Sequence, residues 1–353
     1  MSSLLSLISL PALSFLALPT FSSWSTSLNL AFFSMTWFVL VVSNDQFYVE
    51  VLGSLFIRAI FYILPSLLFL ALDCAVPSLA TNIKTQGEIA LPVRNDKDKR
   101  KVLEVVGWST FNVCLGVALQ AAIELLYTEV FQMRSALKVP KTLPMPFSIL
   151  FDLGTALAFR GISTYYINRH LLHSPSGGRA ADWHKSWHHS IRAPYAFVAN
   201  YDHPVPWILS RWLPLHAPAL FFPGRTHILS FHLALALVSL EECFAYSGYS
   251  TLPSILLAGM ARRADNHLLS AGKGNFGPWG VLDWVHGTTV GKDVVDDVRK
   301  ECDEHDVQRR ASGLGDAAGG MLEDVRGRLG GNGNGNGKGK EKGKKKVRVE
   351  GDE

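Results

Sequence analysis

The chain has 353 residues, long enough for two soluble domains, yet 48% are hydrophobic and only 18% are charged. Soluble domains carry roughly 25% charged residues, and here the apolar residues run in long blocks rather than at helical or strand spacing. The formal charge of +4 gathers largely in one tail, so an ordinary globular enzyme is excluded and nucleic acid is not expected as a partner.

From the N-terminus, MSSLLSLISLPALSFLALPTFS is apolar, but no Lys or Arg precedes the run, and Pro11 and Pro19 interrupt it. It reads as an uncleaved interfacial or first membrane segment rather than a signal peptide. Residues 28–43 are short and expected to be partly inserted, which makes 1–45 an N-terminal apolar region of uncertain insertion. A membrane-crossing helix needs about 20 apolar residues. Segment 47–76 meets that length, with Arg58 and Pro65 as blemishes. So do 106–127, which carries Gln120 and Glu124, and 146–167, which carries Asp152 and Arg160. Segments 204–222 and 227–247 form a hairpin around Pro223 and Gly224.

Lys84, Arg94, Lys97, Lys99, Arg100 and Lys101 make 77–105 a basic loop inside a transmembrane region at 46–144. Positive charge marks the cytosolic side. Counting crossings places 168–203 and the C-terminal region on that same side. Loop 128–145 on the opposite side also carries Arg134, Lys138 and Lys141. Cys74, Cys114, Cys243 and Cys302 are scattered without C-x-x-C spacing, and the three in or beside apolar blocks read as reduced, buried filler. The end of the chain, from about 303, is Gly/Asn/Lys-rich and too polar to order itself, although its lysines suit anionic headgroups.

The informative stretch is 165–204. Of twelve histidines, His170, His173, His184, His188, His189 and His203 fall within 34 residues, where even scatter would place about one. On a helix His184 and His188 share one face, one turn apart, as do His170 and His173. His189 is turned by about 100° from His188 and can reach a second, adjacent ion. Neutral imidazole suits iron, copper and zinc. His216, His227 and His232 lack partners at ligand spacing and read as packing residues, and His305 carries no signal.

These residues bring a family into view. YYINRHLLH (165–173), HKSWHHSIRAPYAF (184–197) and YDHP (201–204) resemble the ordered histidine boxes of the fatty acid hydroxylase superfamily, the sterol desaturase and lipid hydroxylase group. SGYSTLP (247–253) and ADNHLLSAGKGNFGPWGVLDWVHGT (264–288) are similar to its closing elements, so the likeness covers about 145–290 and leaves out the N-terminal segments and the tail. It implies an all-α integral membrane protein: a small transmembrane bundle under a cytosol-facing, histidine-rich helical metal cap. It also implies two non-haem iron ions, O2 as co-substrate, and electrons from NADPH through a separate reductase and a b-type cytochrome. The product would be a hydroxylated or desaturated lipid made at the endoplasmic reticulum membrane, the lipid being a sterol, sphingoid base or fatty acyl chain.

The metal ligands implied are His170, His173, His184, His188, His189, His203 and His267. The pattern departs at four places. Asn168 stands at the first histidine of the first box, Arg263 and Ala264 replace the leading histidines of the third, Leu268 replaces its last, and Tyr246 stands where many relatives place a histidine. Asn168, Glu242, Tyr246, Asp265 and His286 are further candidates, as ligands or as partners that orient imidazoles. Glu241 and Glu242, charges at the end of an apolar span, read equally as iron ligands or as ion-pair partners of Arg262 or Arg263. Asp152, Asp202 and Asp283 suit hydrogen bonds to imidazole or caps. Trp183, Trp187, Tyr195 and Phe197 line a lipid tunnel or simply pack. Two other readings stay open: a non-catalytic membrane scaffold or lipid-binding protein with a degenerate site, and a mononuclear zinc or iron hydrolase or transporter.

Overall fold

The computed structural model describes residues 24–93, 96–249, 252 and 255–304. The expected N-terminal segment up to residue 23, most of the low-complexity tail and His305 lie outside them. One compact unit ends at Val298, and a second begins at Arg299, inside the last helix. No strand occurs among the described residues.

Helix α1 (Trp24–Ser43) is followed by α2 (Gln46–Ala75). Asp45 starts α2 by accepting the Phe47 N–H at 2.9 Å, which satisfies one of the free amides of the first turn. α2 widens into a π turn over Ala59–Ile63, just before Pro65. Proline has no N–H and crowds the carbonyl four residues back, and the wider turn relieves that clash. Next come α3 (Pro77–Ile83), α4 (Asp96–Leu125), α5 (Pro146–Ile167) and α6 (Gly178–Trp187). Helix α7 is three consecutive pieces, Pro204–Trp207, a π turn Ile208–Trp212 and Leu213–Phe221, the π turn again preceding a proline, Pro214. The last helices are α8 (Ile228–Ala245), α9 (Ile255–Leu269), α10 (Val281–Val285) and α11 (Val294–Glu304).

Helix α2, the Lys99–Val130 stretch and α8 are long and apolar enough to cross a membrane. Phe32, Phe33, Leu52, Phe56 and Leu68 expose their side chains, an apolar surface that lipid rather than water covers. This is an all-α membrane protein. The expected spans at 146–167 and 204–222 are helices, α5 and α7, but neither is among the three long apolar ones. Cys243 is buried as expected, whereas Cys74 and Cys114 are exposed, because they sit on the outward faces of α2 and α4.

The polar residues that blemish the spans are turned inward and paired, as hydrocarbon demands. Arg58 of α2 donates to Glu242 of α8 at 2.8 Å, Arg160 of α5 grips both carboxylate oxygens of Glu241 at 2.8 and 3.0 Å, and Gln120 donates to Glu50 at 2.9 Å. Gly116 of α4 lets Trp207 and Trp212 of α7 pack directly on its backbone, where a Cβ would collide with both rings. Tyr195 and the 3-10 turn Ala196–Asn200 form a buried wedge packed against Val102, Val105 and Val113 of α4. That wedge is the floor of the histidine-bearing segments. Tyr195 and Phe197 therefore belong to the core, and Trp187 packs edge-on against Trp108 at 4.8 Å rather than lining a tunnel.

The end of α2 is tied to the loop after α3 by a buried pair, Lys84 Nζ to Asp73 at 2.6 Å, with the Tyr249 hydroxyl donating to the other carboxylate oxygen. Removing one member of a buried pair leaves the other charge uncompensated, a loss of about 3–5 kcal/mol, while an apolar replacement of both is far less costly. Lys84→Met is accordingly expected to lower unfolding stability in detergent by about that amount. Asp73→Leu/Lys84→Met is expected to recover most of it.

Candidate metal centre

Four elements bring four imidazoles to one point. α5 ends in a π turn, Asn168–Leu172, whose wide hydrogen bond joins the His173 N–H to the Asn168 carbonyl at 2.9 Å. The same carbonyl accepts the His173 Nδ1–H, also at 2.9 Å. His184 lies on α6, His189 on the 3-10 turn His188–Ser190 that follows it, and His267 in the last turn of α9. One nitrogen from each of His173, His184, His189 and His267 lies within 4.8 Å of all the others.

Hydrogen bonding decides which nitrogen points inward. An acceptor at Nδ1 forces the proton there and leaves the Nε2 lone pair free. His184 Nδ1 donates to Asp202 Oδ2 at 2.6 Å, and His267 Nδ1 donates to the Gly274 carbonyl at 2.7 Å. Beside the group, His188 Nδ1 donates to the Tyr201 carbonyl at 2.9 Å. His184 Nε2 is buried and finds no protein partner. The Nε2 atoms of His173 and His189 stand 2.9 Å apart; because His173 carries its proton on Nδ1, His189 donates through Nε2 in this contact, and its Nδ1 is buried without a protein partner. Burial first, then the neighbouring imidazoles, holds His173 and His189 well below the usual histidine range. Burial likewise lowers His188 and pushes His267 down to about 4. The rings are therefore neutral at pH 7, the form that binds metal.

Residues 153–288, from within α5 to just beyond α10, match the family model described as fatty acid hydroxylase. The likeness to fatty acid hydroxylases is carried by this stretch. All four converging histidines lie inside it. No solved structure matches the chain. The hydroxylase family is metal-dependent, and the histidine group is where this domain can hold a metal.

The other expected ligands are placed differently. His170 is exposed and stacks on Tyr166 at 5.9 Å. His203 caps α7 through its own Nδ1 and stacks on Trp183 at 4.2 Å. His188 lines the adjoining cavity, stacked on His184 at 5.0 Å, but is outside the group of four.

Among the further candidates, Asn168 contributes its backbone carbonyl to His173, while its side-chain amide donates to Phe276. Glu242 is not free to ligate, nor does it pair with Arg262 or Arg263. Arg58 and Asn200 occupy it at 2.8 and 2.9 Å, and both of those arginines pair with Asp297 of α11. The Tyr246 hydroxyl accepts from Arg211 at 2.7 Å. Asp265 accepts from Gln86 at 2.6 Å, and two positions from His267 on α9 it faces nearly the opposite way. His286 is exposed and bonds back to the Leu282 carbonyl. Asp283 binds the Phe276 and Gly277 amides and the Thr288 hydroxyl, shaping the loop that ends α9's excursion, and Asp152 faces the His227 amide at 3.4 Å. His216 and His227 are buried packing residues bonded to backbone, as their spacing implied.

Sequence reasoning missed the role of Gly272. Its φ of +77° admits the turn after α9, and a Cβ there would run into the His173 ring and lie 3.0 Å from His189 Nε2. The only signal was a glycine within SAGKGN. Asp202→Asn is expected to weaken ferrous-ion binding by about 10–100-fold, since an outer partner that orients a ligating histidine is worth that much. Gly272→Ala, by displacing the His173 ring, is expected to cost at least about tenfold in the same titration.

Proposed function

We propose that the protein uses O2 at the histidine group to hydroxylate or desaturate a membrane lipid: a sterol, sphingoid base or fatty acyl chain. The observation that carries this reading is the convergence of four imidazoles inside the stretch that matches the hydroxylase model, three of them held through Nδ1 so that Nε2 is left as the unprotonated nitrogen. A redox-active iron bound there would supply the O2 chemistry that side chains lack. Electrons would come from NADPH through a separate reductase and a b-type cytochrome. Residence in the endoplasmic reticulum membrane, with the histidine group and the C-terminal region on the cytosolic side, agrees with the basic loop 77–105.

The chain's own residues do the positioning. Asp202, Gly274 and the Asn168 carbonyl hold three rings in one tautomer, so no proton need leave when an ion enters. The wedge Tyr195–Tyr201 and α9 bury the site, and Met260, Phe276 and Ala245 give the adjoining cavity an apolar side that excludes bulk water. The long apolar helices put that site at a bilayer, where lipid is the solvent. A non-catalytic scaffold would need none of the outward Nδ1 bonds to keep its histidines ligand-ready.

Cells lacking the protein are expected to lose one hydroxylated or unsaturated lipid class in whole-lipid mass spectrometry. The wild-type gene should restore that class and His184→Ala should not. An unchanged lipid profile in the deletion would remove the lipid-enzyme reading.

A further inference from the structure

We propose that the centre holds one metal ion per chain, ligated by His173, His184, His189 and His267, and that the guanidinium of Arg211 lines the cavity where a second ion would have to sit. The inference rests on the metal-dependent reading above and departs from the two irons that family resemblance implies.

Size is the first argument. Donors of one ion about 2.1 Å away lie within roughly 4.2 Å of each other, and a small inward shift brings four nitrogens spanning 4.8 Å to that limit. Two ions about 3.5–4 Å apart would spread their donors over roughly 8 Å. Among the described residues no second group of three or more His, Cys, Asp or Glu side chains gathers at ligand distance.

The second argument is what surrounds the adjoining cavity. His188 is the one further imidazole on its wall. The carboxylates nearby are committed: Asp202 to His184 and the His203 amide, Glu241 to Arg160, Glu242 to Arg58 and Asn200. Tyr246 and Arg263 also line this cavity. Tyr246 accepts from Arg211, whose guanidinium also lies over its ring at 5.2 Å. Arg263 lines the same cavity, with its Nε buried and without a partner. Arg211 brings its charge to that wall, Arg263 shares the single carboxylate of Asp297 with Arg262, and among the described residues the carboxylates on the wall are all engaged, so a second divalent ion would meet positive charge with no free anionic oxygen to offset it.

The test is metal counting on the full chain purified in detergent, loaded anaerobically with ferrous ion and desalted. One iron per chain is expected; two, or none, would overturn the inference. Nitric oxide added to the loaded protein is expected to give the half-integer-spin signal of an isolated iron nitrosyl, accounting for all bound iron. A spin-silent coupled pair would sink the single-ion assignment. His188→Gln is expected to keep its iron and His184→Gln to lose it by at least about tenfold; iron lost equally from both would refute the four-ligand set. These readouts do not depend on turnover. Two irons would overturn the single-ion inference while leaving the lipid reading intact, and an unchanged lipidome would do the reverse.

Discussion

The hydrogen bond from Nδ1 of three of the four inward histidines to a fixed acceptor is the constraint on which the site depends. A free imidazole exchanges its proton between two nitrogens and rotates about two side-chain bonds. Here Asp202 and the carbonyls of Asn168 and Gly274 remove both freedoms for three rings. Each acceptor is itself held by tertiary structure. Asn168 sits in a π turn that ends α5, Gly274 lies in the loop shaped by Asp283, and Asp202 follows the buried wedge against α4. The chemistry of the centre is thus set one layer out from the ligands.

Buried charge organises the rest of the fold. Arg58–Glu242 and Arg160–Glu241 join elements far apart in sequence, Asp73–Lys84 ties α2 to the end of the neighbouring α3, and all three pairs are shielded from solvent. In an apolar surround such pairs add little net stability but penalise any packing that separates them. They therefore specify which helices meet. Because Arg58–Glu242 and Arg160–Glu241 consume acidic groups on the cavity wall, Arg211 remains there with the Tyr246 hydroxyl as its hydrogen-bond acceptor. The same pairing that makes the bundle specific shapes how many cations the centre can accept.

The membrane class, the helical architecture and the position of the centre were legible in the amino-acid sequence. Apolar blocks of membrane length stand out by composition, and the spacing His184, His188, His189 gathers ligand-type residues at one helix end whatever surrounds it. Local spacing also marked His170 and His203, which the structure leaves outside the group of four. Helical periodicity says which residues share a face but not which way that face looks, and His170 faces outward onto Tyr166 while His203 caps its own helix.

Only the tertiary structure decided the partners. Glu242 looked ligand-like because a carboxylate ending an apolar span is costly, but its neutralising arginine lies 184 residues away on α2. His267 stood alone in a depleted box, and it joins His173, His184 and His189 only because α9 folds back across the site. Gly272 was one glycine among many until its φ and the closeness of the His173 ring showed why a side chain cannot stand there. Composition and periodicity report burial and face, which are local properties. Ligand sets and ion pairs are distances between residues far apart in the chain, and packing alone fixes those.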